Sequence, residues 1–147
     1  MSSAKPTIRP AKAGDLNDIM NLLKSLQLPI AGVEDHLRNF SVLLNENVAI
    51  GCVGLEVYGS KALLRSLAVT PKMQGMGLGS MLYEAAAETA RQRGIDEIYL
   101  LTETAERFFS ARGFQTISRE LVDEKVKSSV EFRAVCPQSA VCMRLIL

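Results

Sequence analysis

The chain has 147 residues, 48% of them apolar, with 17 Lys plus Arg against 16 Asp plus Glu. That length predicts one domain that buries roughly two-thirds of its unfolded surface. The balanced charge excludes a bulk field that would draw the chain to nucleic acid or anionic lipid. The opening MSSAKPTIRP has no apolar core of a signal peptide, and no apolar run approaches the roughly 18 residues of a membrane span. Cys52, Cys136 and Cys142 form an odd set without CxxC or paired Cys/His spacing. This speaks against a disulfide framework or a structural metal, and for reduced, mostly buried thiols in a cytoplasmic protein.

In chain order, TIRPA (Thr7 to Ala11) reads as an edge strand that tolerates Pro10. From Asp15 to Leu28, Leu16, Ile19, Met20, Leu22, Leu23 and Leu26 follow helical spacing, and Pro29 stops the run. GVEDHLRNF predicts a second short helix. SVLLNENVAIGCVGLEVYGSKALLRSLAV predicts three strands with hairpin chemistry at NEN and YGSK. A helix follows from about Gly77 to Arg93, burying Leu78, Met81, Leu82, Ala85 and Ala86, with Gly94 closing it. EIYLLT (Glu97 to Thr102) reads as a buried parallel strand, TAERFFSARGF as a short helix, and QTIS as a strand. Asp123 to Val130 reads as a helix and AVCMRLIL as the last strand. Hairpins followed by a β-helix-β crossover predict an α/β (α+β) fold. Its centre is a mixed, mostly antiparallel sheet of about seven strands with helices on both faces.

QGMGLGSML crowds three glycines against a helix start. A strand, a glycine turn and a helix N-terminus form an anion site, because the first-turn N–H groups are unpaired and the dipole adds positive charge. The P-loop spacing fails, since Ser80 stands five residues after Gly75 and no lysine follows. The dinucleotide fingerprint fails as well, since Ser80 and Leu82 stand where glycine is required. The remaining pattern is Q/R-x-x-G-x-G/A, carried by Gln74, Gly77 and Gly79. A bland alternative is a glycine turn that only lets helix and strand pack closely.

LLRSLAVTPKMQGMGLGSML resembles motif A of the GNAT superfamily of acyl-CoA-dependent N-acetyltransferases, and RFFSARGF is similar to its FYxxxGF. The resemblance implies the GNAT fold, acetyl-CoA as cosubstrate, no metal, and a small-molecule amine as acceptor. It implies neither a nucleic-acid nor a membrane partner, and by analogy with the superfamily a homodimer in which RLIL takes part. It places the cofactor on Leu67, Ala68, Val69, Gln74, Gly75, Met76, Gly77, Leu78, Gly79, Ser80 and Phe108, with the pantetheine arm added along Ala62 to Val69 as if it were a strand. The Leu67 N–H is implied as the group that polarises the thioester carbonyl. Three charged hydrogen bonds from the loop contribute about 5–9 kcal/mol. Micromolar binding needs about 8 net, after association costs of about 4 or more, so the arm must contribute as well.

For the base, Glu56, His36 and Glu103 are the candidates. The opposing readings are a solvated residue at a hairpin, a structural histidine, and capping of the next helix. Phe109 stands where many relatives carry a tyrosine acid, which leaves Tyr99, Cys136, Ser139 or an unassisted thiolate. Arg65 on a strand is costly to bury unpaired, so it meets either a neighbouring carboxylate or a substrate carboxylate, with Ser66 beside it. The CPQSA turn, with Cys136 and Ser139, either lines the acceptor pocket or only joins two elements. LPIAGVEDHL, GLEVYG, LLRSLAV, YLLTETAERFF and SSVEFRAVCPQSAVCM resemble the arsenic-resistance N-acetyltransferase branch, which implies detoxification of an amine and leaves open whether the cysteines contact arsenic. A protein lysine or N-terminal acetyltransferase and a non-catalytic acyl-CoA sensor are the competing functions.

Overall fold

The computed structural model describes residues 5–135 and 139–147. Seven strands, β1 (Thr7–Pro10), β2 (Phe40–Asn45), β3 (Val48–Tyr58), β4 (Lys61–Val69), β5 (Glu97–Thr102), β6 (Gln115–Thr116) and β7 (Val141–Ile146), form one sheet in the order β1-β2-β3-β4-β5-β7-β6. Only β4 and β5 run parallel; the other neighbours are antiparallel. This is the mixed, mostly antiparallel sheet that the hairpin chemistry predicts, and the one parallel pair is joined by a helical crossover, as parallel strands require.

Helices cover both faces. On one face, α2 (Leu78–Gln92) buries Leu78, Leu82, Tyr83, Ala86, Ala87 and Ala90 against Val53, Leu55, Leu64 and Val69, and α3 (Glu106–Ser110) adds Phe109. On the other, α1 (Leu16–Ser25) packs Ile19 and Leu23 against Phe40, Val42, Cys52 and Ala68. A third cluster on that face joins Leu63, Tyr99 and Cys142 to Val122 and Val126 near α4 (Glu124–Lys127). Each fully buried Leu or Ile contributes about 1.5–3 kcal/mol, so these three clusters account for much of the fold's stability.

Four expectations need correction. Met81 is 39% exposed, because the buried stripe of α2 turns through Leu82, Tyr83, Ala86 and Ala87 rather than Met81 and Ala85. GVEDHLRNF forms a 3-10 turn over Glu34–Asn39 instead of an α-helix. QTIS contributes only Gln115–Thr116 to the sheet. The helix expected over Asp123 to Val130 stops at Lys127, where the Ser128 hydroxyl donates back to the Lys125 carbonyl and the Ser129 hydroxyl accepts from the Glu131 N–H. Such local side-chain bonds compete with helix propagation.

Candidate active site

β4 ends at Val69 and passes through a short turn, Pro71–Met73, into the glycine loop. Gly75 and Gly77 hold φ of +83° and +79°, which L residues rarely adopt, and a Cβ at either would meet nothing within 4 Å. The loop backbone therefore lies open on its outer side. Gly77 is the N-cap of α2, and the Met81 N–H makes the first intrahelical bond, back to the Gly77 carbonyl. The first-turn amides of Leu78, Gly79 and Ser80 precede that bond and are the donors a helix start leaves unpaired. The Gln74 side chain donates to the Val69 carbonyl at 2.9 Å, bracing the loop against the end of β4. Met76 is 62% exposed between the two left-handed glycines. An open cradle of amides at the start of a 15-residue helix fits a diphosphate.

β4 and β5 pair only from Lys61 to Leu63, opposite Glu97 to Tyr99. Beyond Leu63 they separate, so the edge of β4 that faces β5 has no strand partner through Val69. A bulge lies in this stretch: Cys52 pairs with Ala68 and Gly54 with Arg65, so Ser66 and Leu67 share Val53. Ser66 takes φ of +61°, a conformation that costs a non-glycine residue on the order of 1 kcal/mol. The bulge shifts the alternation by one, so that Leu67 and Val69 face α2 while Ala68 faces α1. It also places the Leu67 backbone at the irregular point of the strand, beside the opening.

Level with the vertex of this fork lies a buried charged cluster. Glu56 pairs across the sheet with Leu63 and is fully buried, and Arg65 is 3% exposed. The Arg65 guanidinium donates to Glu56 Oε2 at 2.8 Å, to the Ala31 carbonyl at 2.7 Å, to the Pro29 carbonyl at 3.2 Å and to Ser66 Oγ at 3.0 Å. Glu131 Oε1 lies 3.5 Å from its Nε. Of the two partners expected for Arg65, the structure shows the neighbouring carboxylate. With its donors engaged by the protein, Arg65 ties the segment before Val33 onto the sheet. Gly32 (φ +83°) makes that approach feasible, since a Cβ there would stand 3.0 Å from Arg65 Nη1.

Glu56 also accepts from the Tyr58 hydroxyl, and His36 Nε2 lies 3.7 Å from its Oε1. Burial pushes the Glu56 carboxyl up, but hydrogen bonds from Tyr58, Ser129 and Arg65, with the nearby His36, outweigh it and hold the group below the usual carboxylate range. Burial and then Glu56 push the Tyr58 hydroxyl up. The reading of Glu56 as a solvated hairpin residue is therefore corrected: it is an ionised, fully buried hub. His36, with its side chain 25% exposed, links that hub to solvent. Tyr58 and Ser129 escaped the sequence reading. The signal for Tyr58 was its i+2 spacing from Glu56, which puts both on one face of β3.

Other expected residues are more scattered. Phe109 is 4% exposed within an edge-to-face aromatic cluster of Tyr83, Phe108 and Phe114, so the position of the missing tyrosine belongs to the core. Phe108 is half-buried and lies 3.7 Å from where a Gly79 Cβ would be. Tyr99 points its hydroxyl to Glu97, 2.9 Å away, at the closed end of β5. Glu103 is exposed, and the capping bond there comes from the Ala105 N–H to Thr102 Oγ1. Ser139 is exposed before β7, and Cys136 lies outside the described residues. Cys52 and Cys142 are buried in different apolar clusters; burial pushes the Cys52 thiol up to about 12 and raises that of Cys142. No group of three or more His, Cys, Asp or Glu among the described residues is placed to hold a metal ion, and no described helix is long and apolar enough to cross a membrane.

The profile of the acetyltransferase (GNAT) family matches residues 15–114, which include the fork, the loop and α2. The chain belongs to the GNAT acetyltransferase family. An uncharacterized N-acetyltransferase, CT2212 of Chlorobaculum tepidum, is 27% identical over 97% of this chain and 94% of its own length. An amino-acid acetyltransferase of Neisseria meningitidis is 29% identical over 80% of this chain. The N-acetylglutamate synthase of Neisseria gonorrhoeae, solved with coenzyme A and N-acetyl-glutamate, superposes with a TM-score of 0.84 at 25% identity and 99% coverage of this chain. The chain spans 29% and 36% of those two longer proteins. As a GNAT protein, the chain is an acetyl-CoA-dependent N-acetyltransferase. When bound, acetyl-CoA supplies an activated acetyl thioester. Gly75 to Ser80 are the residues that would hold its diphosphate, and the free edge of β4 would take its pantetheine arm.

Proposed function

We propose that this GNAT protein acetylates the amine of a small, amino-acid-like molecule. The observation that carries this reading is the fork between β4 and β5, which runs into the glycine loop at one end and has the His36–Glu56 pair level with its vertex. An amine must lose a proton to attack a carbonyl. His36 is the group we assign to take it, since it is partly exposed and backed by a buried anion. Glu56 itself is held ionised by Arg65 and Tyr58, which makes it a better orienting anion than a proton acceptor. The Leu67 N–H, at the bulge, is the donor we assign to the carbonyl oxygen.

The amino-acid character of the acceptor is supported by the names of the two Neisseria proteins, each of which contains a region similar to this chain. An organoarsenical amine is a second acceptor within the same reading, favoured by the segments that resemble the arsenic-resistance branch. Buried, protonated Cys52 and Cys142 suit packing better than arsenic capture and suit a cytoplasmic location. The exposed Ile146 and Leu147 would serve a homodimer contact.

Thiol release from acetyl-CoA tests the proposal with glutamate, other amino acids, neutral amines, an amino-arsenical and a peptide with a free N-terminus. The expected outcome is turnover with free amino acids or the amino-arsenical. Turnover of the peptide alone would assign the protein to protein acetylation. Tight coenzyme A binding with no turnover on any amine would make it a sensor.

A further inference from the structure

The loop from Gln74 to Ser80 contains no Lys or Arg. Backbone amides and the dipole of α2 offer only about half a positive charge there, while a diphosphate brings two negative ones. A cation comes to the loop from elsewhere in the chain. Arg112, just past α3, donates from Nη2 to Ser80 Oγ, in the first turn of α2. Its Nη1 donates to the Phe108 carbonyl at 2.8 Å, and its guanidinium carbon lies 3.5 Å from the centroid of the Phe108 ring. Phe108 in turn packs beside Gly79. The guanidinium is thus held flat by an aromatic ring and fixed by two hydrogen bonds, with its side chain half-exposed.

Two features suggest more than packing. Only two of the five N–H donors of Arg112 have partners, and no carboxylate lies within ion-pair distance among the described residues. The bond to Ser80 also uses the hydroxyl as an acceptor, which leaves the Ser80 proton free to be donated outward, beside the amides of Leu78 and Gly79. By contrast, Arg9, Arg65 and Arg144 face the carboxylates of Asp15, Glu56 and Glu97. Arg112 faces the loop instead.

We propose that Arg112 is the cation of the cofactor's diphosphate site, acting partly through Ser80 and partly through its own free donors. The proposal rests on the reading of the glycine loop as the coenzyme A site. It makes Arg112 and Ser80 binding residues that determine affinity for the nucleotide half of the cofactor, with no part in the acyl transfer itself.

Calorimetric titration of wild type and Arg112→Gln with coenzyme A and with dephospho-coenzyme A tests it, because the second ligand keeps the diphosphate and lacks the 3′-phosphate. The variant is expected to bind both ligands about ten- to thirtyfold more weakly, by the same factor. Unchanged affinities, with or without a lowered melting temperature, would reduce Arg112 to a packing residue and overturn the proposal. Weakening confined to coenzyme A would move Arg112 to the 3′-phosphate and overturn it too. Wild type giving no heat with either ligand would instead bring down the loop reading itself. Should Arg112→Gln not fold, Ser80→Ala carries the test, since it removes the bridging hydroxyl and leaves α3 alone. It is expected to weaken both ligands about three- to fivefold, and an unaltered affinity would exclude the relay.

Discussion

Gly77 combines a left-handed backbone with open space where a side chain would go, at the point where α2 begins. Gly77→Val changes both at once. A β-branched residue at φ +79° strains the turn, and its methyl groups occupy the cradle. The KM for acetyl-CoA is expected to rise at least about tenfold, equivalent to roughly 1.4 kcal/mol of lost binding, while kcat changes less. Steady-state kinetics would check it, and an unaltered KM would remove the loop from the cofactor site. The glycines were legible in the sequence because their spacing has one dominant physical cause. Glu56 and Arg65 were not legible as a pair. Nine positions apart on adjacent strands, they are diagonal neighbours across the hairpin, Glu56 opposite Leu63 and Arg65 opposite Gly54, and alternation alone does not say which diagonal pair closes.

The three hairpin strands and the crossover helix were readable from alternation and helical period, as was Gly94 as a stop, whereas α1 ends at Ser25 with Gln27 left-handed (φ +59°), short of the expected Leu28. The fork was not, because a strand's alternation says which faces are buried and nothing about where a neighbour leaves. β4 loses β5 after Leu63 yet continues to Val69, so the amides along Leu64 to Val69 that do not bond to β3 have no strand partner. If the pantetheine arm adds to this edge, those amides change state when the cofactor arrives. Hydrogen exchange with and without coenzyme A would report it. Protection at several amides between Leu64 and Val69 is expected to rise at least about tenfold, while β2, covered by β1 and β3, changes little. Protection at the loop alone, with none along β4, would show that the arm lies elsewhere.

The buried cluster draws distant parts of the molecule together: Pro29 and Ala31 before the sheet, Glu56 and Arg65 within it, and Ser129 and Glu131 after α4. Its ionisation therefore bears on the stability of the whole chain. The Glu56 carboxyl sits lower in the folded protein than in an unfolded chain, where it titrates near about 4.3. Such a group contributes stability that is fully present above its unfolded value and is lost as pH falls through its folded value. Asp15 acts in the same direction through the hydrogen bonds from Arg9, but that pair is more exposed and screened by salt. Urea unfolding should thus show wild type losing stability below about pH 4. Glu56→Gln removes the nearer of the two carboxylates beside the Arg65 guanidinium and is expected to cost up to about 3–5 kcal/mol at pH 7. The deficit should shrink as pH falls below the usual carboxylate range and through the lowered folded-state value of Glu56. A constant gap between the two proteins across that range would mean that Glu56 contributes by shape alone, and the charged hub would no longer explain how the segments before and after the sheet are held together.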